Sequence, residues 1–356
     1  MSSVAVYVGC AAGKSIDTFE LDLDKGVLSG HGRFQAGNEV QWLATAPDGS
    51  MLYAAVRSDP PSVVSLQASG SGSAAGSRLH QAGTAPLAAS MAYLAPDRNG
   101  THLLAASYND DVVTVSSIDD GVATGARTGK VIPGRHAHTV LPSPDNKYVY
   151  ATALGDDLTA WWSFDATTGK LDDGGTAASQ PGSGPRHLRF SSSGIHVYVL
   201  HEMAGTVTVF ERDAGTGSLT EIQSVSSVPE HLQLIRGRVR DGSVPKPGPD
   251  AIWCAELRLT PDNRFLYTTE RSSSTITAFA VDGGSGQLSY LDSFPTETQP
   301  RGMNITPDGQ YLLTCGEVSS RLSVYQIDQS TGALAFLDSY ECAAGPRCIE
   351  FSPESA

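Results

Sequence analysis

Apolar and polar positions alternate along this chain in short runs. An apolar-x-apolar-x-Pro-Asp phrase leads into a Tyr-rich apolar segment and then a second alternating one, and this unit returns around Pro47, Pro96, Pro144, Ser192, Pro261, Pro307 and Pro353. Alternation over a few residues bounded by Pro, Asp, Gly and Asn predicts strands and turns, not helices. Successive copies stand 46 to 49 residues apart, except for one interval of 69 between Ser192 and Pro261. A period in the forties with several short strands per unit predicts a β-propeller. In the sixth unit the strands are expected at Gly302–Thr306, Tyr311–Gly316, Arg321–Gln326 and Ala333–Ser339, with Pro307-Asp308-Gly309 as the first turn. The polar stretches Asp165–Gly169, Asp213–Gly217 and Asp328–Gly332 read as hairpin turns, and Ala68–Ser77 as a longer version of the same.

The seventh copy, Ile349–Glu354, opens a unit whose remainder is missing. That remainder stands at the other end: Val4–Gly9 matches the second strand of a unit and Ser15–Asp22 the third. The chain is therefore expected to be all-β, a single seven-bladed propeller domain over residues 1–356, closed by pairing of the N- and C-terminal strands in one blade. Closure of this kind removes the exposed sheet edges of an open array. The long interval is an insertion of about 228–250, between the fourth and fifth internal repeats. Its Pro245, Pro247 and Pro249 rule out a central strand. It carries Arg236, Arg238 and Arg240, and it is either a surface excursion or a flap over one mouth of the central channel.

Composition predicts a soluble protein, with no apolar run near the ~18 residues of a membrane span. Residues 1–9 run directly into a strand without a basic start or cleavage site, so a cytoplasmic location is expected. Five cysteines without a C-x-x-C pair suggest neither a disulfide framework nor zinc. A formal net charge of −14 argues against nucleic acid and anionic membranes as partners. An anionic ligand would have to be held by local arginines. A monomer or weak homodimer is expected.

Repetition also exposes the positions that break the pattern. Six residues before each turn Pro the chain reads Gln41, Ser90, His138, Arg186, Ala255, Arg301 and Arg347; at the end of each second strand it reads Ala11, Arg57, Tyr108, Leu154, Glu202, Arg271 and Glu317. In an antiparallel blade these two positions share one end, so both rings should surround one mouth of the channel. Several arginines converging there suit a polyanion, since the guanidinium fork pairs with carboxylate or phosphate. His138 and Glu202 could move a proton. An arginine at such a mouth can equally satisfy carbonyls or pair with Glu202 or Glu317. His136 and His187, one residue from ring positions, are expected to face the neighbouring blade. No metal and no cofactor are expected, and neither a Gly-x-Ser-x-Gly elbow nor a phosphate loop is present.

Ala106-Ser107-Tyr108-Asn109, Gly184-Pro185-Arg186-His187, His201-Glu202, Glu270-Arg271 and above all Thr296–Asn304 with its Gln299-Pro300-Arg301-Gly302 core carry a resemblance. The whole chain resembles the lactonase family of seven-bladed propellers, which includes bacterial 6-phosphogluconolactonases of the cycloisomerase-2 type and, more distantly, the fungal 3-carboxy-cis,cis-muconate lactonizing enzyme. The resemblance implies hydrolysis of a small anionic sugar lactone, in carbohydrate metabolism by the pentose phosphate pathway. It implies a catalytic set matching His138, Glu202, Arg186 and Arg271, with Arg301, Arg347, Tyr108, Asn109 and Glu317 as substrate-binding neighbours. Which of His138 and Glu202 is the base is open at this level. Lactonization, or a noncatalytic propeller that docks a partner, are the alternative readings. The insertion of about 228–250 is longer than that resemblance predicts.

Overall fold

The computed structural model describes residues 3–69, 78–240 and 248–352. Pro353, the insertion's Pro245 and Pro247, and most of the turn expected at Ala68–Ser77 lie outside them.

Seven four-stranded antiparallel sheets form the blades of a seven-bladed propeller. Their innermost strands are Glu39–Thr45, Tyr93–Pro96, Ala137–Pro142, Pro185–Phe190, Cys254–Leu259, Pro300–Ile305 and Pro346–Phe351. Six sheets run outward in chain order; the seventh pairs Pro346–Phe351 with Ser3–Cys10, whose neighbours are Ser15–Asp22 and Val27–Gln35. Val6 stands opposite Phe351 and Val8 opposite Ile349, so the expected closure by the two termini is the one observed. In the sixth unit the strands fall at Pro300–Ile305, Tyr311–Gly316, Arg321–Ile327 and Leu334–Glu341, within two residues of expectation.

Blades stack face against face, so a second strand is covered on both sides. Val149, Tyr150 and Ala151 are consecutive and all fully buried, which explains why these strands read as near-continuous apolar runs. The cores lie between blades: Tyr198, Leu200 and Val207 of one sheet pack with Leu257, Leu266 and Phe279 of the next. The recurring tyrosines have a specific task. Tyr53 donates to the Gly121 carbonyl at 2.9 Å, Tyr150 to Gly217 at 2.6 Å and Tyr267 to Gly332 at 2.9 Å. Each hydroxyl thereby ties one blade to the outer hairpin of the next, which satisfies its polar tip in an apolar layer. The Pro-Asp turns place Gly49, Asn146, Asn263 and Gly309 at φ between +57° and +74°, a region that Gly and Asn enter at least cost. Among the described residues no helix is long and apolar enough to cross a membrane.

Candidate active site

Six of the seven first-ring positions lie at β-bulges, the exception being Ser90, which precedes its strand. Val40 pairs with Val56 and Trp42 with Ala55, which leaves Gln41 outside the ladder; Arg186, Arg301 and Arg347 are skipped in the same way. In the Ala137–Pro142 strand, His138 and Thr139 together oppose Thr152, whose hydroxyl caps the Thr139 N–H at 3.1 Å. A bulged residue has no ladder partner and its side chain is re-aimed. Repeated around the ring, this device turns polar side chains from successive blades toward one axis.

They meet in a cavity of about 320 Å3 lined by Gln41, Arg57, Ser90, Tyr108, Asn109, His138, Arg186, Glu202, Arg271, Arg301 and Arg347, together with Met91, Ala92, Arg240 and Trp253. The two rings thus share one mouth. Ala255 does not line it, but its carbonyl accepts from Arg186 Nη1. Glu317 stands behind the wall and bridges Arg347 Nε at 3.0 Å and Arg301 Nη1 at 3.4 Å. Burial would raise the Glu317 carboxyl, but Arg301, Arg347 and Arg271 outweigh it and bring it to about 2.

Glu202 is the most constrained member. Its Oε2 lies 2.7 Å from Arg186 Nε and 2.9 Å from Arg271 Nη2, and its Oε1 accepts from Trp253 Nε1 at 3.1 Å. Burial pushes its carboxyl up, yet the charges of Arg271, Arg186 and Arg301 hold it below the usual range. The guanidinium of Arg271 also lies against the Trp253 ring, 3.7 Å from its centroid, and donates to the Trp253 and Cys254 carbonyls, each at 2.9 Å. Arg186 and Arg271 therefore spend much of their charge on Glu202.

His138 is different. It is 6% exposed, and its Nδ1 is buried with no hydrogen-bond partner. Burial, then the positive charge of Arg186, hold the imidazole neutral far below its ordinary pKa. Tyr108 packs edge-on against it at 5.9 Å between centroids and stacks on His136 at 4.3 Å. His136 thus faces the preceding blade as expected.

His187 meets the neighbouring blade as expected and reaches further: its ring contacts His138 of that blade at 4.9 Å and, from two blades beyond it, Trp42 at 5.3 Å and Tyr93 at 5.4 Å. The bulge at Arg186 breaks the two-residue alternation and turns the ring toward the channel. Its Nδ1 donates to buried Glu256 at 2.9 Å, leaving Nε2 to accept from Arg186 Nη1 at 3.1 Å. Together with Trp42 and Tyr93 it plugs the channel, and a second cavity, which includes Arg189, Arg258 and Glu350, shares no lining residue with the first.

Sequence reasoning passed over Trp253 as a site residue and took Arg240 only as part of the insertion. Neither occupies a repeat position; the signals available were the Arg-rich composition and the tryptophan just after the insertion. Of the segment expected as either a surface excursion or a flap over one mouth, Arg240 among the described residues lines the cavity. Among the described residues no three His, Cys, Asp or Glu side chains gather to hold a metal ion.

A seven-bladed ring closed by both termini agrees with the family comparison. The model of the lactonase seven-bladed β-propeller family matches residues 5–351, and the chain belongs to that family. It is 32% identical over 301 residues to the 6-phosphogluconolactonase of Erwinia tasmaniensis, covering 84% of this chain and 83% of that one. It is likewise 32% identical over 304 residues to that of Serratia proteamaculans, covering 84% of each. Among solved structures it is similar to a candidate 6-phosphogluconolactonase from Bacteroides fragilis, with a TM-score of 0.84 and 25% identity over 98% of both chains. The periplasmic gluconolactonase of Pseudomonas aeruginosa has a TM-score of 0.85 at 24% identity, covering 99% of this chain and 100% of that one. That likeness is one of fold.

Proposed function

We propose that this chain hydrolyses, without a metal, a small sugar lactone bearing a second anionic group, such as 6-phosphogluconolactone, in the arginine-lined mouth of its channel. The observation that carries the reading is a buried, neutral imidazole in the wall of a cavity lined by six arginines. The names of its relatives in Erwinia and Serratia supply the substrate class.

In this reading His138 takes a proton from water as the water oxygen attacks the lactone carbonyl. Glu202 is a poor base, since three donors already occupy its carboxylate; it fixes Arg186 and Arg271. Arg301 and its neighbours face the carbonyl oxygen as it gains charge. The ring C–O bond then breaks, and the imidazolium returns its proton to the departing ring oxygen, giving the hydroxy acid. A strained ester needs no covalent nucleophile, so positioning and a general base suffice. The five cysteines, all free thiols, suit the reducing cytosol.

Rates with 6-phosphogluconolactone and with 3-carboxy-cis,cis-muconate test the reading. Hydrolysis of the first supports it. Turnover of the second alone would assign the site to lactonization, and turnover of neither would favour a binding scaffold.

A further inference from the structure

The six cavity arginines are not equivalent. Arg186 and Arg271 share Glu202, Arg301 and Arg347 share Glu317, and Arg57 has Glu39 at 3.3 Å. Arg240 alone has no carboxylate partner among the described residues. Its guanidinium lies 5.6 Å from the Trp253 ring centroid, within cation–π range. Its backbone is fixed, because the Tyr108 hydroxyl donates to the Arg240 carbonyl at 2.7 Å. The segment leading to it is fixed as well: Gly237 N–H donates to the Met203 carbonyl at 2.9 Å, one residue from Glu202, and Ile252 N–H to the Ile235 carbonyl at 2.8 Å. An arginine held on a rigid wall, facing a ligand-sized cavity without a counter-charge, is prepared for a charge that arrives with the ligand.

Three carboxylates stand against six guanidinium groups, so the mouth holds an excess of about three positive charges. That excess suits a dianion better than a monoanion, and a phosphate monoester offers three oxygens to a guanidinium fork.

We propose that Arg240 receives the phosphate of the substrate, so that the insertion, which is no part of the blade repeat, selects a phosphorylated lactone over an uncharged one. This rests on the lactonase reading above. It makes Arg240 a specificity residue apart from the catalytic cluster.

The test compares wild-type protein with Arg240→Gln on 6-phosphogluconolactone and on the uncharged glucono-1,5-lactone, with calorimetric titration of inorganic phosphate and a melting curve on each. The variant should raise KM for the phosphorylated lactone, and weaken phosphate binding, on the order of 10- to 100-fold, the range for losing a hydrogen bond to a charged group. Its kcat/KM for the uncharged lactone should fall at least tenfold less. Tyr108→Phe, which frees the Arg240 carbonyl, should weaken phosphate binding in the same direction but less. Equal losses on both lactones, or phosphate binding like that of wild type, overturn the proposal. If wild-type protein hydrolyses neither lactone, the lactonase reading fails, while the phosphate titration of the two proteins still decides the role of Arg240.

Discussion

Glu202 Oε2 lies 2.7 Å from Arg186 Nε, a buried ion pair in the wall of a cavity whose arginines outnumber its carboxylates. Arg271 shares the same oxygen at 2.9 Å, so one carboxylate sets the direction of two guanidinium groups. Removing one partner of a buried pair is costly because the remaining charge keeps its desolvation penalty. Here two charges would be left.

Glu202→Gln is therefore expected to lose about 3–5 kcal/mol of stability, read from urea unfolding midpoints. The kcat/KM for lactone hydrolysis should fall on the order of 100-fold as Arg186 and Arg271 lose their orientation. A variant as stable as wild type would show that the clamp is not the structural element inferred here.

The acid limb of the rate profile reports His138. Burial and Arg186 hold its imidazole neutral well below the ordinary value of 6.5, so the base form persists as the solution is acidified. After subtraction of the uncatalysed rate, kcat/KM should stay level through pH 6.5 and fall only well below it. A half-loss at pH 6.5 or above would place a differently tuned group in the base role.

Glu350 belongs to the closing strand, opposite Tyr7. Burial raises its carboxyl to about 7 against the opposing pull of Arg258 and Arg189. The fold thus keeps a proton that the unfolded chain has already lost, and wild-type stability should decline as pH rises from about 4.5 to about 7 and level off above. Glu350→Gln removes that dependence. At pH 8 it should exceed wild type by on the order of 2 kcal/mol, less than the full shift because the group is partly solvated, and at pH 4 the two should coincide. Urea unfolding at both pH values measures this, and a variant less stable than wild type at pH 8 would show that ionised Glu350 stabilises the ring.

The ring was legible because a propeller repeats: Pro47, Pro144 and Pro307 head turns of one kind, and the orphan copy at Ile349 had only one place to go. The polar cluster at the mouth was legible for a related reason, since His138, Arg186, Arg301 and Arg347 stand where other copies carry Gln41, Ser90 and Ala255. Three things escaped that logic. His187 projects into the channel because bulging suspends alternation, which no period of two can reveal. Arg240 and Trp253 lie in and beside an insertion with no repeat phase to mark them. Which arginines take Glu202 depends on side-chain reach within and between blades, so sequence could name that pairing only as an alternative to ligand binding, and the commitment of both Arg186 and Arg271 to it escaped.

The most direct test of the account is the turnover number of His138→Gln on 6-phosphogluconolactone, measured beside wild type with melting temperatures for both. Loss of the general base should lower kcat on the order of 10²- to 10⁴-fold while the melting temperature stays close to that of wild type. A folded His138→Gln protein that hydrolyses the lactone at the wild-type rate would contradict the assignment of this cavity as the active site.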